Sequence, residues 1–122
     1  MDWIIRTDKK TGRIHTCSPE EVKDYIKNEY PGLYQDLEGT IKAILDGAVI
    51  EPHHDIFVRP RDDREVIKFF ETQIKWRKGK ANKELWLGDL QNNIFPALKP
   101  YLGVSEPTIK YIETKIKDAL KA

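Results

Sequence analysis

The spacing of apolar residues changes at Pro60, and this change limits the folds open to the chain more than any other feature. Before Pro60, apolar runs are only a few residues long and are separated by turn-forming residues. After it, apolar residues recur every three or four positions, the spacing of one helical face. The sequence therefore predicts an α+β fold, with two short β-hairpins and helices in the N-terminal half and an all-helical C-terminal half.

The N-terminal half carries signals for both strands and helices. Ser18 begins a helix, because Pro19 suits the first helical position and Glu21 completes a capping box. A second amphipathic helix starts near Leu33 and stops at Gly47. Two hairpins are predicted, with paired strands at residues 3–6 and 13–17 and at residues 48–51 and 56–59.

The C-terminal half is predicted to hold helices only. Asp62 caps the first of them, and Gly79 ends it. Asn82 begins the next, and Ser105 caps the last. Pro100 is expected to interrupt the helix around it, because proline lacks a backbone donor and clashes with the preceding turn. We treat residues 1–122 as a single domain with a subdomain junction near residue 60.

The composition indicates a folded protein of a reducing compartment. Aromatic residues make up 10% of the chain, and disordered segments lack them. Cys17 is the sole cysteine, so an internal disulfide is impossible. Neither a signal peptide nor an apolar run long enough to span a membrane is visible. We therefore expect a soluble cytoplasmic protein without a membrane partner.

Positive charge is concentrated in the second half of the chain. Residues 1–60 carry 8 Lys and Arg against 11 Asp and Glu, whereas residues 61–122 carry 13 against 9. A basic run without acids could contact phosphates, or it could be a solvated connection between helices. Its members are Lys75, Arg77, Lys78, Lys80 and Lys83.

A short segment near the C-terminus carries the strongest functional signal. The residues from Leu102 to Ile109 read LGVSEPTI. Gly103 can adopt the positive φ of a tight turn, Ser105 can cap the following helix, and Pro107 is tolerated in its first turn. This segment, extended to Ile112, resembles the turn and recognition helix of bacterial helix-turn-helix regulators.

The resemblance implies a small DNA-binding regulator of transcription, with residues 82–122 as a helix-turn-helix-like region. Such modules place the last helix in the major groove and commonly pair as homodimers on two-fold sites. The family has a small residue where this chain has Lys99, and a continuous helix where it has Pro100. The residues that would face duplex DNA are Ser105, Glu106, Thr108, Lys110, Tyr111 and Thr114.

Two other interpretations fit the same residues. The segment around Gly103 could be an ordinary corner between two helices. The protein could also be a non-catalytic interaction module, such as an adaptor, an inhibitor or a phage or mobile-element accessory protein. Its acidic N-terminal half would then be the working face. DNA binding requires the basic run to share a face with the last helix, whereas a protein partner requires an exposed apolar patch.

Metal binding and catalysis have weaker support. Zinc-ligand residue types occur at His15, Cys17, His53, His54 and Asp55, but not at a recognised spacing. The same turn, with Arg59 and Arg61, holds residue types found in nucleases. We see no nucleophile motif or phosphate-binding glycine loop. We therefore expect no enzyme activity, metal or cofactor. Trp76, within the basic run, is the tryptophan placed to stack on a base.

Overall fold

A computed structural model describes residues 2–122 of the chain. The backbone divides into two compact units, residues 1–59 and 60–122, which we call unit 1 and unit 2. The mixed α+β class is confirmed, with helices throughout the C-terminal half. None of the helices in residues 2–122 combines the length and the apolar character that crossing a membrane requires.

Unit 1 contains an antiparallel three-stranded sheet. Strand β1 (Ile4–Asp8) lies in the centre, between β2 (Ile14–Cys17) and β3 (Asp55–Val58). The β1–β2 hairpin matches the first predicted hairpin. The second is reduced to one bridge between Ile50 and Phe57, and β3 pairs with β1 instead. Pro52, which cannot donate a ladder hydrogen bond, follows directly on this bridge.

Two helices pack on one face of the sheet. Helix α1 (Pro19–Glu29) begins with the predicted capping box, in which Ser18 and Glu21 bond each other's backbone N–H groups. Helix α2 (Leu37–Leu45) starts later than predicted, because the Asp36 carboxylate caps it. The core between helices and sheet consists of Ile4, Val22, Ile26, Ile41, Ile44 and Phe57.

Unit 2 is helical throughout. Asp62 caps its first helix as predicted, accepting a hydrogen bond of 2.9 Å from the Glu65 N–H. The rings of Phe70 and Phe95 meet edge to face in the core, with centroids 5.1 Å apart. The elements in order are α3 (Asp63–Lys78), α4 (Lys83–Asp89), a π-helical turn (Leu90–Ile94), α5 (Phe95–Leu102) and α6 (Glu106–Lys121).

The helix around Pro100 continues, contrary to the prediction. The π-helical turn ends where the Phe95 N–H donates to the Leu90 carbonyl, five residues back, directly before the donor-free Pro96. Helix α5 then runs through Pro100 to the corner. Proline removes one helical hydrogen bond there, while burial of Leu98 holds the turn in place.

Candidate nucleic-acid interface

The corner between α5 and α6 has the predicted backbone geometry. Gly103 ends α5 in the left-handed region, with φ of 63°. Ser105 occupies the N-cap position of α6, with an extended backbone. Its hydroxyl does not accept the expected bond from a backbone N–H; it donates to the Asp63 carboxylate at 2.7 Å. The prediction was therefore right about the position and wrong about the bond.

Asp63 ties the N-terminal ends of α3 and α6 together. Its Oδ2 atom accepts a second hydrogen bond of 2.7 Å from the Thr108 hydroxyl. Hydrogen bonds from Thr108 and from Ser105 hold the pKa of Asp63 below its usual value. Thr108 is only 9% exposed. We therefore remove Thr108 from the DNA-facing set, because its hydroxyl is committed to the contact between helices.

Helix α6 is buried along one side only. Its buried side consists of Thr108, Ile109, Ile112, Ile116 and Ala119. The structure places the other predicted contacts of this helix on the exposed side: Glu106, Lys110, Tyr111 and Thr114. Lys117 and Lys121, which the motif did not single out, continue the stripe of Lys110 at helical spacing. The outer face of α6 is therefore open and carries lysines along most of its length.

The structure brings part of the basic run to this helix. Lys75 and Lys78 of α3 line a groove with Lys115 of α6, which we call the α3–α6 groove. Its other lining residues are Glu71, Ile74, Asp118, Ala119 and Ala122. Positive charge from the basic run and from the last helix is thus collected on one surface.

A second groove follows the opposite flank of α6. This α5–α6 groove is lined by Lys99 from α5 and by Lys110 and Lys117 from α6. Lys99 lies 3.8 Å from Glu113, which also lines the groove. Lysines therefore border α6 on both sides.

Arg77 belongs to the core and is removed from the predicted phosphate contacts. It is fully buried, and its guanidinium lies 5.6 Å from the ring centroid of Trp76 and 5.5 Å from that of Trp86. Its Nη1 atom donates to the Trp86 carbonyl at 3.0 Å. Burial lowers the pKa of Arg77 from its usual value. This side chain cannot reach a phosphate on the surface.

The remaining members of the basic run take separate positions. The Lys80 ammonium lies 4.5 Å from the Trp76 ring centroid and 5.0 Å from that of Trp86. Lys83 donates to the carbonyl of Ala122 at 3.4 Å, beside the C-terminal end of α6. The basic run is therefore not one continuous patch: Lys75 and Lys78 face the α3–α6 groove, and Lys80 covers the indoles.

Negative charges surround the N-terminal end of α6, and positive charges lie further along the helix. Its N-terminal end lies beside Asp63 and carries Glu106, with Asp62 and Glu65 in the adjacent turn of α3. Lysines dominate further along the helix. A polyanion would therefore be attracted to the middle and the C-terminal part of α6.

Unit 1 contains a polar cluster that the sequence did not reveal. Asp55, 1% exposed, accepts hydrogen bonds from Arg6 at 3.0 Å, Tyr25 at 2.9 Å and Tyr30 at 2.6 Å. Burial and the bond to Asp55 raise the pKa of Tyr30 to about 12. The Arg6 guanidinium also lies 4.2 Å from the Tyr25 ring centroid. These partners satisfy the hydrogen bonding of the buried carboxylate, so removing one of them would leave a buried polar group without its partner.

The predicted zinc-ligand residue types do not gather into a site. His53 and His54 are exposed, and Asp55 points into its hydrogen-bonded cluster. Across residues 2–122, the structure places no group of three or more His, Cys, Asp or Glu side chains where they could hold a metal ion.

No protein-family model matches the chain, and neither a curated protein nor a solved structure shows significant similarity to it. Function is therefore inferred from the geometry and the charge of unit 2.

Proposed function

We propose that unit 2 binds duplex DNA through the exposed face of α6 and the lysines on its two flanks, as a small DNA-binding regulator. The observation that carries this proposal is the α3–α6 groove, where Lys75 and Lys78 of the basic run lie with Lys115 of the last helix. DNA binding requires the basic run and the last helix to share one face, and this groove is lined by residues of both.

The balance of charge around α6 favours a polyanion. Three acids, Glu71, Glu113 and Asp118, line the two grooves, and a fourth, Glu106, lies on the outer stripe. The lysines that line the grooves or continue the outer stripe outnumber them: Lys75, Lys78, Lys99, Lys110, Lys115, Lys117 and Lys121. Lysines that neutralise phosphates release condensed counterions, which favours binding at low salt.

The shape of the surface suits a groove of duplex DNA. Helix α6 has 16 residues, and such a helix is about 24 Å long. The major groove is about 12 Å wide and admits an α-helix. With α6 in this groove, Lys75 and Lys78 would face one bordering strand and Lys99 the other. The phosphates would thus be neutralised on both sides of the helix.

The acidic N-terminal end of α6 shifts the expected contact along the helix. Helix-turn-helix modules contact bases with the N-terminal residues of this helix. Here Ser105 and Thr108 bond Asp63 instead, and Glu106 adds negative charge. We propose that Lys110 and Thr114 face the bases, with Lys117 and Lys121 beyond them. A single copy covers one half-site, so a homodimer would strengthen binding.

The test is a fluorescence anisotropy titration of the full chain against a labelled duplex at low and at physiological salt. We expect binding at low salt that weakens steeply as salt rises. Lys78→Ala and Lys115→Ala should each weaken binding and reduce the salt slope by about one. Lys42→Ala, which removes an exposed lysine of α2 in unit 1, is the matched control. No binding at low salt, or equal losses in Lys42→Ala and Lys78→Ala, would contradict the proposal.

A further inference from the structure

A third concave surface adjoins the α3–α6 groove at the C-terminal end of α3. It is shallow and open to solvent, and we call it the Trp76 groove. Its lining residues are Thr72, Lys75, Trp76, Gly79 and Lys80. Lys75 lines both grooves, so the two surfaces meet at this residue. A ligand on the α3–α6 groove could therefore extend into the Trp76 groove.

The indole of Trp76 is held in place by its neighbours. The Trp86 ring meets it edge to face, with centroids 5.4 Å apart. The buried Arg77 guanidinium lies within 5.6 Å of the Trp76 ring centroid. An aromatic side chain fixed in this way loses little conformational freedom when a ligand stacks on it. Part of the indole remains accessible, since Trp76 is only half-buried.

The chemistry of the Trp76 groove combines a flat aromatic surface with two cations. The Lys80 ammonium lies 4.5 Å from the Trp76 ring centroid, and Lys75 is exposed one residue before Trp76. Nucleobases stack on aromatic side chains, and their phosphates bind lysine. A free inorganic phosphate would leave the indole unused, and an apolar peptide would leave both ammonium groups unused. A nucleotide uses all three side chains.

We infer that Trp76 stacks an unpaired base of the bound DNA. The Lys80 ammonium, which lies over the Trp76 ring in the free protein, moves off the ring and binds an adjoining phosphate together with Lys75. The base must be unpaired because bases inside a duplex already stack on their neighbours, and unstacking one costs a few kcal/mol. The ligand that this site selects is therefore DNA with a single-stranded overhang. This inference rests on the proposed function, because the phosphate-binding surface beside the Trp76 groove holds the rest of the strand.

The experiment compares a blunt duplex with the same duplex carrying a short single-stranded overhang, using the full chain and anisotropy at low salt. One stacked base should raise affinity roughly 5- to 100-fold. Trp76→Leu should abolish this advantage and leave the affinity for the blunt duplex unchanged, whereas Trp76→Phe should keep most of it.

Because Trp76 also packs against Trp86, a second variant tests the groove without touching the indole. A Cβ atom at Gly79 would lie 3.5 Å from the Trp76 carbonyl oxygen, an ordinary contact. Gly79→Gln should therefore fold, fill the groove and remove the overhang advantage. Gly88→Gln, on an α4 glycine with open space around it, is the matched control and should keep it.

The outcomes separate the two proposals. Salt-dependent binding of the blunt duplex without any gain from the overhang would overturn the stacking inference alone. A gain that survives both Trp76→Leu and Gly79→Gln would overturn it as well. Failure to bind either DNA at low salt would overturn the proposed function, and the stacking inference with it.

Discussion

The Ser105 hydroxyl at the N-cap of α6 donates a hydrogen bond of 2.7 Å to Asp63 in the first turn of α3, although 42 residues separate the two. Thr108 bonds the same carboxylate oxygen at 2.7 Å. The N-terminal end of a helix carries partial positive charge, so one carboxylate complements two helix ends. This link fixes where α6 begins relative to α3, and with it the lysines that line the groove between them.

We expect Ser105→Ala to lower the free energy of unfolding by about 1 kcal/mol, the net value of a typical hydrogen bond. The loss should shrink in an Asp63→Ala background, because this substitution already removes the acceptor of the Ser105 hydroxyl. Urea unfolding of the parent, both single variants and the double variant measures the coupling. Strictly additive effects would show that Ser105 acts without Asp63.

Acid should weaken the same link. The pKa of Asp63 is held below its usual value by its bonds to Thr108 and Ser105. Its contribution is therefore complete above the ordinary Asp pKa of about 3.9 and disappears as pH falls through the lower folded pKa. Unfolding midpoints measured down to that range should fall less steeply in Asp63→Asn than in the parent. Parallel curves would contradict this assignment.

Two glycines of unit 2 should respond to alanine in opposite directions. Gly103 has φ of 63° and open space around it, so Gly103→Ala should cost about 1 kcal/mol from backbone strain alone. Gly88 lies within α4, also in open space, and Gly88→Ala should stabilise by about 0.5–1 kcal/mol. Thermal unfolding of both variants measures the difference. Equal effects would show that the corner does not need a left-handed residue.

The sequence predicted features that depend on neighbours within one helical turn. The Ser18–Glu21 capping box and the Asp62 cap each join residues three positions apart. The turn at Gly103 depends on the conformational freedom of one residue. Such local interactions leave a pattern in the sequence because both partners lie within one helical turn. The expected cap bond of Ser105 is the exception, because the distant Asp63 carboxylate takes its hydroxyl.

The features that the sequence missed join distant residues. Asp55 bonds Arg6 across 49 positions, and Asp63 bonds Ser105 across 42. No spacing rule connects such pairs. The sequence predicts Arg77 as a phosphate contact because it lies in a run of positive charges without an acid. The Trp76 indole belongs to the preceding residue of α3, whereas Trp86 lies on α4, nine positions away, and reaches Arg77 only in the fold.

Replacement of Arg77 should destabilise the protein, unlike replacement of the neighbouring Lys78. Arg77→Ala removes a fully buried side chain that packs against two indoles, and we expect a loss of about 3 kcal/mol. Lys78→Ala, at an exposed position, should change stability by less than about 0.5 kcal/mol. Urea unfolding gives both values, and near-ultraviolet circular dichroism reports on the packing of the indoles. An Arg77→Ala variant as stable as the parent would show that Arg77 does not contribute to the core.

Alkaline pH should weaken unit 1 through Tyr30. Burial and the bond to Asp55 raise its pKa from 10.0 to about 12. Because the folded pKa is the higher one, the contribution of Tyr30 is complete below pH 10 and is lost as pH rises towards 12. Allowing for solvent screening, the loss should be on the order of 1 kcal/mol. Urea midpoints across this range should fall less steeply in Tyr30→Phe, and an unchanged slope would contradict the prediction.

Lys110 and Glu106 should affect DNA binding in different ways. Lys110 lies on the outer stripe of α6, and we propose that it faces the bases. Lys110→Ala should therefore reduce the preference among sequences, by about 1–3 kcal/mol at the contacted base pair. Glu106 is exposed at the acidic N-terminal end. If its charge only repels phosphates, Glu106→Gln should raise affinity for every sequence, by less than about tenfold.

Competition titrations against duplexes that differ at single base pairs measure both effects. Lys78→Ala is the control for a phosphate contact, and it should weaken binding to all duplexes equally. A loss of sequence preference in Glu106→Gln would show that Glu106 accepts a hydrogen bond from a cytosine amino group. The N-terminal end of α6 would then enter the groove, as the helix-turn-helix resemblance implies. If Lys110→Ala lowers the affinity for all duplexes equally, Lys110 contacts a phosphate and not a base. The middle of α6 would then not determine sequence preference.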